Sequence, residues 1–191
     1  MNMLAKLLFM ALLISPYTLQ AMNADKPNNI KIRGSAFIPQ SKRFRSIYGK
    51  VSGTIELEYV RYIREHLSLW ANIDGLVKRG RSIGFCNPTK IGIANFSFGL
   101  DFPWNVGNRS TLYAGFGPSF GAVHITNNSI CCCEKVSKGA VGFVVKSGLD
   151  ICLSKHTFIE LFVDYRFERA WFQKTIQVGG LQPGIALGFK F

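Results

Sequence analysis

The chain has 191 residues, enough for one domain with a core of its own, and a formal charge of +12. It carries 16 Phe, 6 Tyr, 3 Trp and 19 Gly, more than an ordinary soluble core calls for. The charge argues against cationic partners and points to anionic ones: nucleic acid, lipopolysaccharide, anionic lipid or acidic glycans.

The first residues, "MNMLAKLLFMALLISPYTLQA", place Lys6 before an apolar run from Leu7 to Ile14, then a breaker and the small residue Ala21. That layout predicts a secretory signal peptide over 1–21, with cleavage after Ala21 and Ala24 as the alternative site. An amphipathic or buried helix of the mature chain is the other reading. The run is shorter than the ~20 residues a spanning helix needs, and no later stretch approaches that length, which excludes helical spans from the rest of the chain. A short polar segment follows at 22–29, and a single domain is expected over 30–191.

From residue 30 the pattern is one of strands, with no sustained 3.6-residue period. After a weaker candidate at 30–38 comes "VSGTIELEYVRYI", where Val51, Ile55, Leu57 and Tyr59 alternate with Ser52, Thr54, Glu56 and Glu58. A second weaker candidate covers 67–78. "IGIANFSFGLDF" then sets Ala94, Phe96, Phe98, Leu100 and Phe102 against Asn95, Ser97, Gly99 and Asp101. Past a candidate at 111–125, "VGFVVKSGLDICL" opposes Val141, Phe143, Val145, Leu149 and Ile151 to Gly142, Lys146, Gly148 and Asp150. "FIELFVDYRF" opposes Ile159, Leu161, Val163, Tyr165 and Phe167 to Glu160, Asp164 and Arg166, and a last candidate covers 183–191. The total is about eight strands, each near the 9–11 residues a tilted membrane strand needs.

Connection lengths alternate. Short turns are expected at Arg64 to His66, Asn105 to Arg109 and Lys155 to Thr157. Long loops are expected at Gln40 to Lys50, Arg79 to Lys90, Asn127 to Gly139 and Gln173 to Gln182. Three turns and four loops put both ends of the strand array on the turn side. One face of each strand is bulky and aromatic, whereas the other holds small residues and a few charges, as in the "GxGxS" of Gly115, Gly117 and Ser119. A soluble barrel turns its large apolar residues inward; a membrane barrel turns them to lipid. Eight strands enclose room only for side chains, so small residues and charges are expected inside. The fold class read from the pattern is all-β: a closed, antiparallel, eight-stranded transmembrane β-barrel with short periplasmic turns and longer extracellular loops. A soluble secreted barrel is the alternative.

These residues resemble the small eight-stranded outer-membrane proteins of Gram-negative bacteria, of the OmpX, OmpA-barrel and OmpW type. The most specific element is the segment "GIALGFKF", with Ile185, Leu187, Phe189 and Phe191 at alternate positions. In that family such a segment, ending in Phe, is an assembly signal read by the outer-membrane assembly machinery. "FIELFVDYRF" is also similar to the family's penultimate strand. More loosely, the chain looks like the small barrels of Chlamydiae-type or Legionella-type intracellular bacteria. The resemblance implies export to the outer membrane, no cofactor, and contact with outer-membrane lipid and lipopolysaccharide.

Four constellations are candidates for function. Lys31, Arg33, Glu56, Glu58, Asp74, Lys146, Asp150, Glu160, Asp164, Arg166 and Lys190 all fall on the inward parity. Bare charges in a narrow interior cost several kcal/mol, so with both signs in similar numbers a salt-bridged plug is expected, against a conducting or proton-relay path. The basic outer loops, with Lys42, Arg43, Arg45, Lys50, Lys78, Arg79 and Arg81, suit lipopolysaccharide phosphates or host polyanions such as sulfated glycans, with Phe44 and Tyr48 as apolar contacts.

"SICCCEKV" suggests a disulfide between Cys86 and one of Cys131, Cys132 or Cys133, ahead of intermolecular cross-linking and of a soft-metal site. Cys152 is expected as a small buried strand residue. The fourth constellation is enzymatic. Some barrels of this size modify lipid A, which needs a nucleophile and base within reach. Here His66 and His156 fall in turns, and His124 falls on the lipid-facing set, at no recognisable spacing from a Ser and a carboxylate. No catalytic residue and no metal site is assigned. Nucleic acid is not a partner for an exported barrel, and no phosphate loop or zinc-finger spacing occurs.

The functional reading is a non-enzymatic surface protein with a structural or adhesive role. The runner-up is a narrow channel for small hydrophobic molecules, and a lipid A enzyme comes third. Deleting Phe191 is expected to lower the heat-modifiable, membrane-inserted fraction on gels; unchanged levels would count against the assembly signal.

Overall fold

The computed structural model describes residues 28–81, 87–128, 133–171 and 175–191, with the side chains of 128, 133 and 134 left aside. The expected signal peptide, Cys86, Cys131 and Cys132 lie outside the described residues. Cys133 is placed as backbone only, so the expected disulfide falls outside them too.

The elements in chain order are β1 (Asn28–Pro39), α1 (Lys42–Tyr48), β2 (Ser52–Arg64), β3 (Leu67–Arg81) and β4 (Pro88–Asn105), followed by β5 (Ser110–Asn128), β6 (Cys133–Cys152), β7 (Thr157–Trp171), β8 (Thr175–Gln177) and β9 (Gly180–Lys190). Every pairing is antiparallel, and β1 pairs with β9, so the sheet closes on itself. The three-residue β8 continues β9: Arg169 opposite Gln177 and Arg166 opposite Gly180 belong to one register along β7. The wall is therefore an eight-stranded antiparallel barrel. Closure leaves no edge whose backbone groups would be unpaired in lipid.

The alternation has the sense of a membrane barrel. Ile55, Ile73 and Ile185 are 76%, 60% and 64% exposed, while Arg33, Glu58 and Glu160 are at 1% or less. In water so continuous an apolar surface would drive association, at ~25 cal/mol per Å². In lipid it is the ground state. Ile185, Leu187, Phe189 and Phe191 are all on this outer surface.

One end of the barrel carries the turns β2–β3, β4–β5 and β6–β7 and the outer ends of β1 and β9, where Phe191 N donates to Asn28 O at 2.9 Å. The opposite end, the loop end, carries α1. Expectations change there for every loop. Strand enters the one expected at Arg79 to Lys90, where Arg81 pairs with Pro88, and the one expected at Gln173 to Gln182, which holds β8 and the start of β9. The loop expected at Asn127 to Gly139 is mostly strand, because β5 and β6 stay paired out to Asn128 and Cys133. The loop expected at Gln40 to Lys50 contains a helix, capped by Ser41, whose Oγ accepts from Phe44 N, and closed by Gly49 at a φ of 89°.

The interior also departs from the expected set of small residues. Trp70, Tyr113, Phe158 and Phe162 point inward and are buried. Three of these rings lie over glycines in the neighbouring strand: Tyr113 opposite Gly148, Phe158 opposite Gly188 and Phe162 opposite Gly184. A methyl group on Gly188 would run into the Phe158 ring, so ring and glycine form one packing unit.

Replacing Ile73 with Arg puts a charge at the middle of the lipid-facing band and should cost roughly 2–4 kcal/mol. Gly188→Val should cost about 1–3 kcal/mol by overpacking. Urea unfolding of the protein refolded into vesicles measures both.

Candidate functional site

The inward parity of six strands collects the charges into one lumen. All eleven residues of the expected interior set are buried there. Arg33, on β1, is the centre of the larger group. Its guanidinium lies 2.8 Å from Glu56, 2.9 Å from Asp164, 3.2 Å from Glu58 and 3.3 Å from Glu160. The same guanidinium stacks 3.5 Å from the centre of the Phe162 ring. Lys31 Nζ is 3.1 Å from Glu160, 3.5 Å from Asp150 and 3.6 Å from Glu58. Glu160 also accepts from the Tyr113 hydroxyl.

Two pairs cross the barrel. In the ring of strands β2 stands opposite β6, and β3 opposite β7. Lys146 on β6 bonds Glu58 on β2, with its ammonium 4.2 Å from the centre of the Trp70 ring. Arg166 on β7 bonds Asp74 on β3 at 2.7 Å, with Glu168 at 3.7 Å. Amide and hydroxyl groups extend the network: Asn72 donates to Glu56 at 3.1 Å, Asn95 to Asp74 at 2.9 Å, and Ser119 to Glu168. Lys190 reaches the Cys152 thiol at 3.2 Å, while Glu160 is taken up by Lys31, Arg33 and Tyr113.

Two further buried charges lie outside the expected set of eleven, although Asp101 already stands on the polar side of its strand's alternation. Glu168 continues the inward parity of β7 one step past the segment read as a strand, and Asp101 lies on the inward face of β4. With them the described lumen holds five cations, Lys31, Arg33, Lys146, Arg166 and Lys190, against eight carboxylates. The near-balance of signs expected from the sequence is replaced by an acidic interior inside a basic protein.

Towards the loop end the lumen turns apolar. Phe37, Leu76, Ile91, Ile93 and Val123 form a cluster into which α1 drops Phe44 and Tyr48. Phe44 sits edge-on to Phe37 at 6.0 Å and 5.0 Å from Tyr48, and the Tyr48 hydroxyl meets Thr89 at 3.3 Å. Burial pushes that hydroxyl's pKa up, opposed by the Thr89 bond. The helix backbone rests on Gly80, where any side chain would collide with Ile47 O. The expected role of Phe44 and Tyr48 as surface contacts is thus overturned: they are 4% and 6% exposed because the helix turns its apolar side into the barrel mouth.

The helix's other face carries Lys42, Arg43 and Arg45, all exposed, with Lys50, Arg79 and Arg81 exposed nearby in the chain and along β3. Lys78 is half-buried and donates to Val51 O at 3.0 Å.

His66 and His156 lie in the turns, His66 Nδ1 being 3.4 Å from Pro103 O. His124 is on the outer wall, with Nδ1 2.7 Å from Ser137 Oγ and Nε2 3.4 Å from Thr126 Oγ1. The sequence reading missed this pair because the two residues meet only through the β5–β6 register. Among the described residues no group of three or more His, Cys, Asp and Glu is arranged to hold a metal ion.

No family model matches the chain, and no curated protein matches it in sequence. Solved structures do share its fold. The outer membrane protein OprG from Pseudomonas aeruginosa superposes with a TM-score of 0.66 at 13% identity, covering 87% of this chain and 97% of that one. Neisserial surface protein A gives 0.63 at 9% identity, covering 86% and 97%. Ail of Yersinia pestis, in complex with the heparin analogue sucrose octasulfate, gives 0.53 at 14% identity, covering 86% and 97%. The chain thus has the fold of the small outer-membrane β-barrels, as its resemblance implies. Nothing in these matches bears on the Chlamydiae- or Legionella-type likeness.

Arg166→Met strands Asp74 and Glu168 in the lumen and should destabilise the barrel by about 3–5 kcal/mol. Adding Asp74→Leu should recover most of that loss. A double-mutant cycle in urea reads the coupling, and additive losses would show that the cross-lumen pair is not a unit.

Proposed function

We propose that this is an outer-membrane surface barrel, closed to passage, that acts through its outside: a structural and adhesive protein presenting cations to polyanions. The observation that carries the reading is the filled lumen. Two ion pairs span opposite walls, and α1 seats Phe44 and Tyr48 in the apolar mouth above them. Any axial path would have to break buried pairs and expel an aromatic plug. Export by a signal peptide, with the turn end in the periplasm and the loop end facing outward, belongs to the same proposal and is supported by the outer-membrane fold.

With the interior closed, the chemistry available at the loop end is basic. Lys42, Arg43 and Arg45 stand on the solvent face of a helix anchored from below, so they are held in place at little entropic cost. Sulfate and phosphate esters are the anions such a surface suits, the two Arg offering bidentate contact. The sulfated sugar named with Ail fits this direction.

A second reading, lateral passage of a small apolar molecule, draws on one feature of the wall. Pro118 has no N–H, and the β4–β5 ladder has no pair between Ser97–Ser119 and Leu100–Phe116. An apolar recess of about 810 Å³ opens on the outer face there, lined by Phe98, Phe116 and Pro118, with Trp70 also lining it.

The refolded protein should bind heparin in low salt and lose roughly ten-fold or more in affinity when Lys42, Arg43 and Arg45 become Gln. It should show no steady conductance in planar bilayers. Salt-insensitive binding, or binding unaffected by the triple variant, overturns the adhesive role. Uptake of an apolar solute by proteoliposomes, abolished by Pro118→Val, would put the second reading first.

A further inference from the structure

Glycines inside this barrel are there because something presses on them; those on one part of the outer wall are not. Inward Gly99, Gly117 and Gly142 would each drive an added side chain into neighbouring backbone. Outward Gly53, Gly92 and Gly139 have nothing within 4 Å of an added Cβ, and Gly75 has only a carbonyl oxygen at 3.6 Å. None of these four has a positive φ. Neither backbone conformation nor packing explains them, yet they stand together. The register sets Gly75, Ala94, Ala122 and Gly139 side by side across β3 to β6, with Gly92 one step nearer the loop end. Gly53, Gly75, Gly92, Ala94 and Ala122 hollow the lipid-facing wall of β2 to β5 into a recess of about 630 Å³, with Ile55, Val77 and His124 also lining it; Gly139 continues the row of small residues just beyond it.

What borders the recess is ordered by depth. On the turn side lies a bulky shelf at the next outward level, Ile73, Phe96, Phe120 and Val141. On the loop side the next level is apolar on β3, where Val77 stands beside Gly92, and polar on β5 and β6, where His124 bonds Ser137 at 2.7 Å. One level beyond, Arg79 pairs with Lys90, Lys90 with Thr126, and Thr126 with Lys135, so three cations stand in one row across β3, β4 and β6. All three are exposed. Adjacent levels are about 7 Å apart along a strand, and the cation row is about 14 Å wide. Over that rise the wall passes from bulky and apolar, through small residues, to a level with the His124–Ser137 pair on its β5–β6 side, and then to a positively charged row.

That sequence matches the anatomy of an anionic lipid, with acyl chains, then ester or amide and hydroxyl groups, then phosphate. We infer that the outer face from β2 to β6 is a binding site for a phosphorylated, multiply acylated glycolipid of the surrounding leaflet, whose chains fill the recess on β2 to β5 and whose phosphates meet Arg79, Lys90 and Lys135. His124 and Ser137 lie at the depth of the linkage groups and hydrogen-bond to them. Charge complementarity and width select this occupant. A single phosphate is narrower than the row, whereas two phosphates on one disaccharide span it, and chains side by side fit a recess that runs across strands. Such a ligand is drawn from the outward leaflet, so the inference rests on the proposed orientation of the loop end. It does not rest on the α1 cations.

The test is co-purification measured by native mass spectrometry. The full refolded barrel is incubated with diphosphoryl lipid A, with its dephosphorylated form, and with a one-phosphate glycerophospholipid. The wild type should retain the diphosphoryl lipid through detergent exchange and release the other two. Changing Arg79, Lys90 and Lys135 to Gln should lower retention roughly ten-fold or more. Ala94→Leu with Ala122→Leu, which fills the recess while adding only lipid-facing apolar surface, should lower it with the cations intact. Heat-modifiability on gels certifies that each variant is folded. Equal retention of all three lipids, or retention unchanged in both variants, overturns the site and marks the lipid as ordinary annular contact. The Lys42, Arg43 and Arg45 variant should retain lipid normally. Loss of heparin binding with lipid kept therefore separates failure here from failure of the adhesive reading.

Discussion

Two ion pairs that cross the lumen, Lys146 to Glu58 and Arg166 to Asp74, are the contacts on which the rest of the molecule is arranged. A barrel in lipid must turn its apolar residues outward, which leaves only the interior for polar ones. With eight strands that interior is too narrow to hydrate a charge fully, so each must find a partner across the space or beside it. Once partnered, the charges fill the passage. The ion-paired interior follows from the solvent outside the wall and the diameter inside it.

The lumen nonetheless has two regimes. Around Arg33 it is held by charge-assisted bonds and by rings stacked on cations, whereas under α1 it packs like a soluble core, with Phe37, Phe44, Tyr48 and Ile93 in one cluster. The second regime is cheap to rearrange relative to the first, because apolar contacts carry little directional penalty. The acidic excess inside has a further effect. Since the buried set favours carboxylates, the cationic charge on the remaining residues exceeds the formal +12 of the whole chain. The outer surface is more basic than composition suggests.

How much of this the sequence discloses depends on whether a feature obeys a period of two. The inward charges do, and Lys31, Glu58 and Glu160 are placed by parity alone. Asp101 obeys it too, and Glu168 shows that parity persists where a strand outruns its apolar segment, as β5 and β6 also do. The helix was missed because seven residues are too few to establish a period, although Phe44 and Tyr48 four apart behind a capping Ser41 carry the signal. Pairings such as Phe158 over Gly188 and His124 beside Ser137 were out of reach because they need the register between strands, which no single strand encodes. The glycines illustrate the limit most directly. In the sequence the packed Gly188 and the open Gly92 are the same letter, and only the neighbouring backbone tells one from the other.

The pairing of β1 with β9 has a temporal side as well. Lys31 opposite Gly188 and Asn29 opposite Lys190 are contacts between opposite ends of the described chain, and the Lys31–Glu160 and Arg33–Asp164 bonds also need β7 in place. Closing so long a loop costs entropy that nearby contacts cannot recover. The seam is therefore the pairing of the wall that costs most to close. While it is open, β1 and β9 each present a bare edge, and the carboxylates of β2 and β7 lack the cations of β1. Assembly is cooperative for an electrostatic reason as much as a topological one: the wall and its ionic filling are completed in the same step.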